Sequence, residues 1–174
     1  MGIQFETDYN METLTAMAKG LRKTVRKKRS RRVHIFAAVV LILGLLTILA
    51  TTAGGEPLGA SGVVTLLAML VVILVSLFED KLNAWFARKR LLPGTEHAVA
   101  TFEEDGYVSA TGVTESRFSY AQIVAVAETE RYFVFALSSH HTQAYDKRTI
   151  RGGSVEDFRA FIAEKTGKLV ENIK

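Results

Sequence analysis

Apolar positions along this chain fall into long unbroken runs in one stretch and into short alternating patterns on either side of it. Residues 33–53 and 60–78 are apolar runs of about 21 and 19 residues, roughly 31 and 28 Å as helices. Past His34 neither run contains an ionisable group. A helix buried in a soluble protein keeps a polar face, and these do not. Both therefore predict transmembrane helices. Residues 54–59 between them include Gly54, Gly55, Pro57 and Gly59, which end helices, and six residues suffice only to turn the chain back antiparallel. A cleaved signal sequence is the competing reading of the first run. It is disfavoured by the length of the basic leader, the length of the apolar core and the second run that follows.

Past the second run, residues 79–90 continue as helix, with Trp85 and Phe86 placed as interfacial anchors, and Pro93-Gly94 closes the linker 79–95. From residue 96 the apolar period changes to two. Ala98, Ala100 and Phe102 alternate with polar neighbours, and Glu104-Asp105-Gly106 makes a hairpin turn. Strands are expected over 107–111, 114–120, 123–129, 132–137 and, more weakly, 142–145. Ser154 and Asp157 form a capping box, and Val155, Phe158, Phe161 and Ile162 continue it as a helical stripe ending at Gly167. Before the first run, Ile3, Phe5 and Tyr9 sit at strand spacing, and residues 11–32 are expected to form one helix. The N-terminal strand is expected to join the sheet of the C-terminal domain.

Charge fixes an orientation. Lys19, Arg22, Lys23, Arg26, Lys27, Lys28, Arg29, Arg31 and Arg32 precede the first run with no acid among them, and Arg88, Lys89 and Arg90 follow the second. The turn between the runs holds only Glu56. Cytoplasmic flanks carry the Lys and Arg, so both termini are expected on the cytoplasmic side. Removing those nine leading cations from the formal +4 leaves −5 for the remainder, so this is an acidic chain with a basic cuff. The cuff is explained by topology and by contact with anionic headgroups, to which each cation contributes about 1 kcal/mol. A stripe of Leu14, Met17, Leu21 and Val25 could lie against lipid. Nucleic acid is not an expected partner.

The chemistry-bearing residues are few. The chain has no cysteine, which excludes disulfides and thiolate sites. His140 and His141 are adjacent and point to opposite faces of a strand, which suits a loop better than a metal. Glu103-Glu104-Asp105 lacks the further ligands of a calcium loop. Gly152-Gly153-Ser154 lacks the Lys-Ser/Thr of a phosphate loop. Thr47, Thr51, Thr52, Thr65 and Ser76 place hydroxyls in the apolar runs, without a charge that would mark an ion path, and Gly44 offers a point of close helix packing. No catalytic, cofactor or metal site is expected, nor an enzyme.

The order of these features resembles the YcxB-like family of bacterial membrane proteins. Phe102-Glu103-Glu104-Asp105-Gly106, Ser119-Tyr120-Ala121-Gln122-Ile123 with Val126 and Glu128, Tyr145-Asp146-Lys147-Arg148 and Glu156-Asp157-Phe158 carry the likeness; the family commonly has Trp where Tyr120 stands. The resemblance implies a pleckstrin-homology-like (PH-like) split β-barrel capped by a helix, and no established reaction. The whole is then an α+β membrane protein divided into 1–32, 33–53, 54–59, 60–78, 79–95 and 96–174, in the bacterial cytoplasmic membrane. Its expected role is a membrane-anchored interaction or sensing module that meets lipid headgroups and a protein partner, strand addition being one mode of recognition. The alternative is an oligomeric structural or transport-associated component.

Overall fold

The computed structural model describes residues 2–55 and 58–173, so part of the predicted turn at 54–59 lies outside the described residues. The chain forms two units, Met1–Lys27 with Asn83–Lys174, and Lys28–Leu82.

The first unit begins with β1 (Ile3–Asp8) and α1 (Met11–Lys23) and resumes after the apolar helices with β2 (His97–Phe102), β3 (Tyr107–Thr111), β4 (Glu115–Phe118), β5 (Ala125–Glu128), β6 (Tyr132–Ala136), β7 (Thr142–Asp146), α5 (Val155–Thr166) and β8 (Val170–Asn172). One sheet has the order β1-β2-β3-β4 and the other β7-β6-β5-β8. The N-terminal strand does join the C-terminal domain, antiparallel to β2 from Ile3↔Phe102 to Asp8↔His97. Tyr9 lies just past its end. β8 has no counterpart in the sequence pattern and pairs parallel with β5. Tyr120, expected to end a strand, sits in a 3-10 turn over Tyr120–Gln122 that Ser119 and Gln122 close as a capping box. Among the described residues the two sheets meet at the β1–β7 corner without sharing a ladder. Gln4 and Arg151 form an isolated bridge there. Asp146 N–H donates to Thr7 Oγ1 at 3.1 Å, and Tyr9 hydroxyl bonds the Ala144 backbone.

Two clusters hold this unit together. Between the sheets, Phe5, Phe102, Tyr107, Phe133, Phe135, Tyr145 and Phe158 interlock, most ring pairs meeting edge to face. On the other face of the second sheet, Ala127, Tyr132, Val134, Ala144 and Ile173 are covered by Ala16 and Met17 of α1. A Cβ on Gly20 would lie 2.6 Å from Val134 Cγ1, so glycine is what lets α1 approach β6 this closely. Asn10 caps α1, its side chain accepting from Glu12 N–H and Thr13 N–H.

The expected single helix over 11–32 is two helices. α1 ends at Thr24, whose N–H and hydroxyl both donate to Gly20 O, at 3.0 and 2.7 Å, and a turn follows before α2. Back-bonding of this kind competes with the helical ladder, and no Gly or Pro announces the break in the sequence.

The second unit contains α2 (Lys27–Ala53, which starts one residue before it) and α3 (Ala60–Leu77). Both are long and apolar enough to cross a membrane, and neither has a buried residue. Gly44 is their contact point: a Cβ there would meet Met69 Sδ at 2.8 Å. Thr47, Thr51, Thr52 and Thr65 each return their hydroxyl to a carbonyl three or four residues back, which satisfies it without water. A separate α4 (Glu79–Lys89) follows α3, with Phe78 alone between them.

Candidate functional site

The predicted cuff is spread over two helices. Lys19, Arg22 and Lys23 occupy the last turns of α1, only Lys23 being fully exposed. Arg26, in the turn, donates from Nε to Ser139 O at 2.6 Å and so is committed to the β6–β7 loop. Lys27, Lys28, Arg29, Arg31 and Arg32 open α2, all exposed and with no acid in the first turn. The two groups differ electrostatically. Cations at a helix C-terminus, as in α1, are stabilised by the peptide dipoles, whereas those in the first turn at an N-terminus, as Lys27, Lys28 and Arg29 in α2, are destabilised by about 0.3–1 kcal/mol each. Nothing inside α2 favours five cations at that end. An external polyanion would.

The apolar stripe of α1 is where the sequence reading needs correcting. Leu14 and Leu21 are buried and Met17 packs on the second sheet, so that face covers protein and is closed to lipid. The physical reason is β6, which is buried on both faces and needs α1 as its second cover. Trp85 and Phe86 remain exposed on α4, Lys89 Nζ lies 3.5 Å over the Trp85 ring, and Arg88, Lys89 and Arg90 are exposed beside them.

Several residues that carried the resemblance prove to be fasteners. Glu128 is buried and takes Arg159 Nε and Nη2 on its two oxygens at 2.7 and 2.8 Å, with Lys147 Nζ at 2.9 Å. The Arg159 hydrogen bonds hold its carboxyl below the usual range, with help from Lys147 and against burial. Asp146, also buried, receives Arg131 at 3.0 Å and Arg148 at 2.9 Å, and Arg131 pairs as well with Glu12 of α1. Tyr120 donates its hydroxyl to Glu103 O at 2.6 Å and Gly106 O at 3.0 Å, which pins the β2–β3 turn; burial raises its pKa. These groups join elements to one another and leave no polar atom aimed at a ligand. His140 and His141 lie in the β6–β7 loop, where Leu137 N–H donates to His141 O.

One cavity is lined by hydroxyls. About 290 Å³ in volume, it is walled by Ser109, Thr111, Thr114 and Ser116 of the β3–β4 hairpin, with Gln143 and Leu14 opposite. At its base Tyr107 and Tyr145 both donate to Gln143 Oε1 at 2.7 Å. Burial pushes both phenols upward, and pushes nearby Tyr9 to about 12, so all three stay neutral donors across the physiological range. The expected strands 107–111 and 114–120 carry these hydroxyls, but strand periodicity does not show what lies across from them.

Residues 102–162 match the family described as YcxB-like protein. No curated protein matches the chain, and no solved structure does.

Proposed function

We propose that this chain, whose residues 102–162 form a YcxB-like domain, is a membrane-anchored interaction or sensing module of the bacterial cytoplasmic membrane. In this reading α2 and α3 cross the bilayer as a hairpin, and the domain stands on the cytoplasmic side as a PH-like split barrel opened between its two sheets. The observation that carries the proposal is that two helices of membrane-spanning length bury none of their apolar residues, while the folded unit beside them encloses an aromatic core.

Two further observations support it. The β1–β2 ladder joins a strand that precedes both apolar helices to one that follows them, which supports placing both flanks on one side. The cations of α2 stand where the helix itself disfavours them, and an anionic leaflet offsets that cost. The module has no catalytic role in this reading; its groups of perturbed pKa are fasteners.

Gentle extraction of the tagged full chain, with mass spectrometry of the protein and lipid that accompany it, tests the function. A stoichiometric protein partner, released by charge reversals on the domain surface, is the expected result. A homo-oligomer without a partner would overturn the module and favour a structural component. Because the chain has no cysteine, single substitutions give the topology: a membrane-impermeant thiol reagent should reach Gly54→Cys in intact cells and His140→Cys only after lysis.

A further inference from the structure

Hairpin turns favour Gly, Asn and Asp, yet the turn between β3 and β4 places an exposed valine at its tip. Thr111 N–H donates to Thr114 O at 2.7 Å, which leaves Gly112 and Val113 as the two turn residues, with Val113 58% exposed. This turn is held in place. Gly112 N–H donates to Gly94 O at 3.0 Å. Gly94 adopts φ +83°, and a Cβ on it would come within 2.7 Å of Val113 Cγ1. The clamp sets Val113 against the linker that carries Leu92, itself 68% exposed. The same linker continues from α4, where Ala84 is fully buried while Trp85, Phe86 and Lys89 lie on the opposite side of the helix.

We infer that the Val113 turn, Leu92 and the Trp85–Phe86–Lys89 face of α4 form one surface that rests in the headgroup layer of an anionic bilayer. Its occupant is lipid for three reasons. The apolar tips are bordered by Arg88, Lys89 and Arg90, all exposed, which suits phosphate headgroups. Aromatic side chains with a cation stacked over them are suited to the boundary between acyl chains and water. Trp85 follows Leu77, the last residue of α3, by only eight residues of chain, which keeps it within reach of a bilayer that α3 spans. The inference rests on the membrane reading above and adds a second, non-spanning contact. That contact holds the domain against the lipid.

The test uses the full chain in vesicles containing phosphatidylglycerol, with single cysteines at Val113, Val124 and Leu67 carrying an environment-sensitive fluorophore. Val124 is 52% exposed and lies outside the proposed surface, and Leu67 lies in α3. Lipids brominated on their acyl chains should quench the Val113 probe several-fold more than the Val124 probe, and the Leu67 probe most of all. Trp85, the only tryptophan, should be quenched in the unlabelled protein. A Val113 probe quenched no more than the Val124 probe, with Leu67 still quenched, overturns the surface and leaves the spans standing. Blue-shifted emission at Val113 without bromine quenching also overturns it, because protein would then cover the turn. An unquenched Leu67 probe overturns the membrane reading together with the surface.

Discussion

The β6 strand and the α3 helix are both uninterrupted apolar segments in the sequence, and their environments are opposite. Every residue of β6 is buried, Phe133 and Phe135 in the aromatic core and Tyr132 and Val134 beneath α1. No residue of α3 is. The difference is one of length and cover. Five residues of strand need one layer of protein on each face, which a domain of this size supplies with α5 on one side and α1 on the other. Eighteen helical residues, apolar all round, need a sleeve about 27 Å long that a chain of 174 residues does not have. In the proposed topology a bilayer provides it.

That contrast is open to attack at either end. The largest effect is expected from Phe158→Ala, which removes a ring that touches Phe5, Phe102 and Phe133 and should destabilise the folded unit by about 3–5 kcal/mol. The midpoint of denaturant unfolding of the full chain in detergent, followed by near-ultraviolet circular dichroism, reports it. Leu67→Arg, in α3, should cost about 2.5–3.5 kcal/mol in membrane insertion and lower the carbonate-resistant fraction, while the unfolding midpoint in detergent stays where it was. If Leu67→Arg lowered that midpoint as far as Phe158→Ala does, the two units would not be separate in the way described.

The smallest effect sharpens the picture of the folded unit alone. Glu128 has a pKa below its ordinary value in the folded state, so the unfolded chain binds its proton first as pH falls. Its stabilising contribution is therefore complete above the usual carboxylate range and is lost as pH drops through the lowered value. Glu128→Gln should cost about 1–3 kcal/mol near neutrality and flatten this acid limb, which unfolding midpoints measured from about pH 6 down to about pH 3 would show.

Much of this organisation was legible from pattern alone, because the signals were local. The two apolar runs, the Ser154–Asp157 box and the alternation of Ala98, Ala100 and Phe102 are each set by a few adjacent positions. The Ile3–Phe5 strand was placed correctly because its spacing is local, although its partner is far away. What escaped the sequence was set by tertiary structure. β8 is three residues, Val-Glu-Asn, whose strand character comes from β5 beside it. The stripe Leu14–Met17–Leu21 states that α1 buries one side, yet lipid and a β-sheet present the same apolar demand, and only the fold distinguishes them. Nothing in the periodicity marked Val113, and it is the Gly94–Gly112 clamp that sets its turn against the linker that carries Leu92.

The interruption of the folded unit by the apolar hairpin also sets a timetable. Asp8 and His97 are register partners, and at about 5–20 residues per second roughly 4–18 s separate their synthesis. Through that interval Phe5 has neither the Phe102 nor the Phe158 ring to pack on, and α2 and α3 emerge first. In the proposed topology, a hairpin threaded with one span missing would strand β1 and β2 on opposite sides of the bilayer. Such a chain could never close its first sheet. Its domain would stay open to proteases, so that an error of insertion is converted into an error of folding, which the cell can detect and clear.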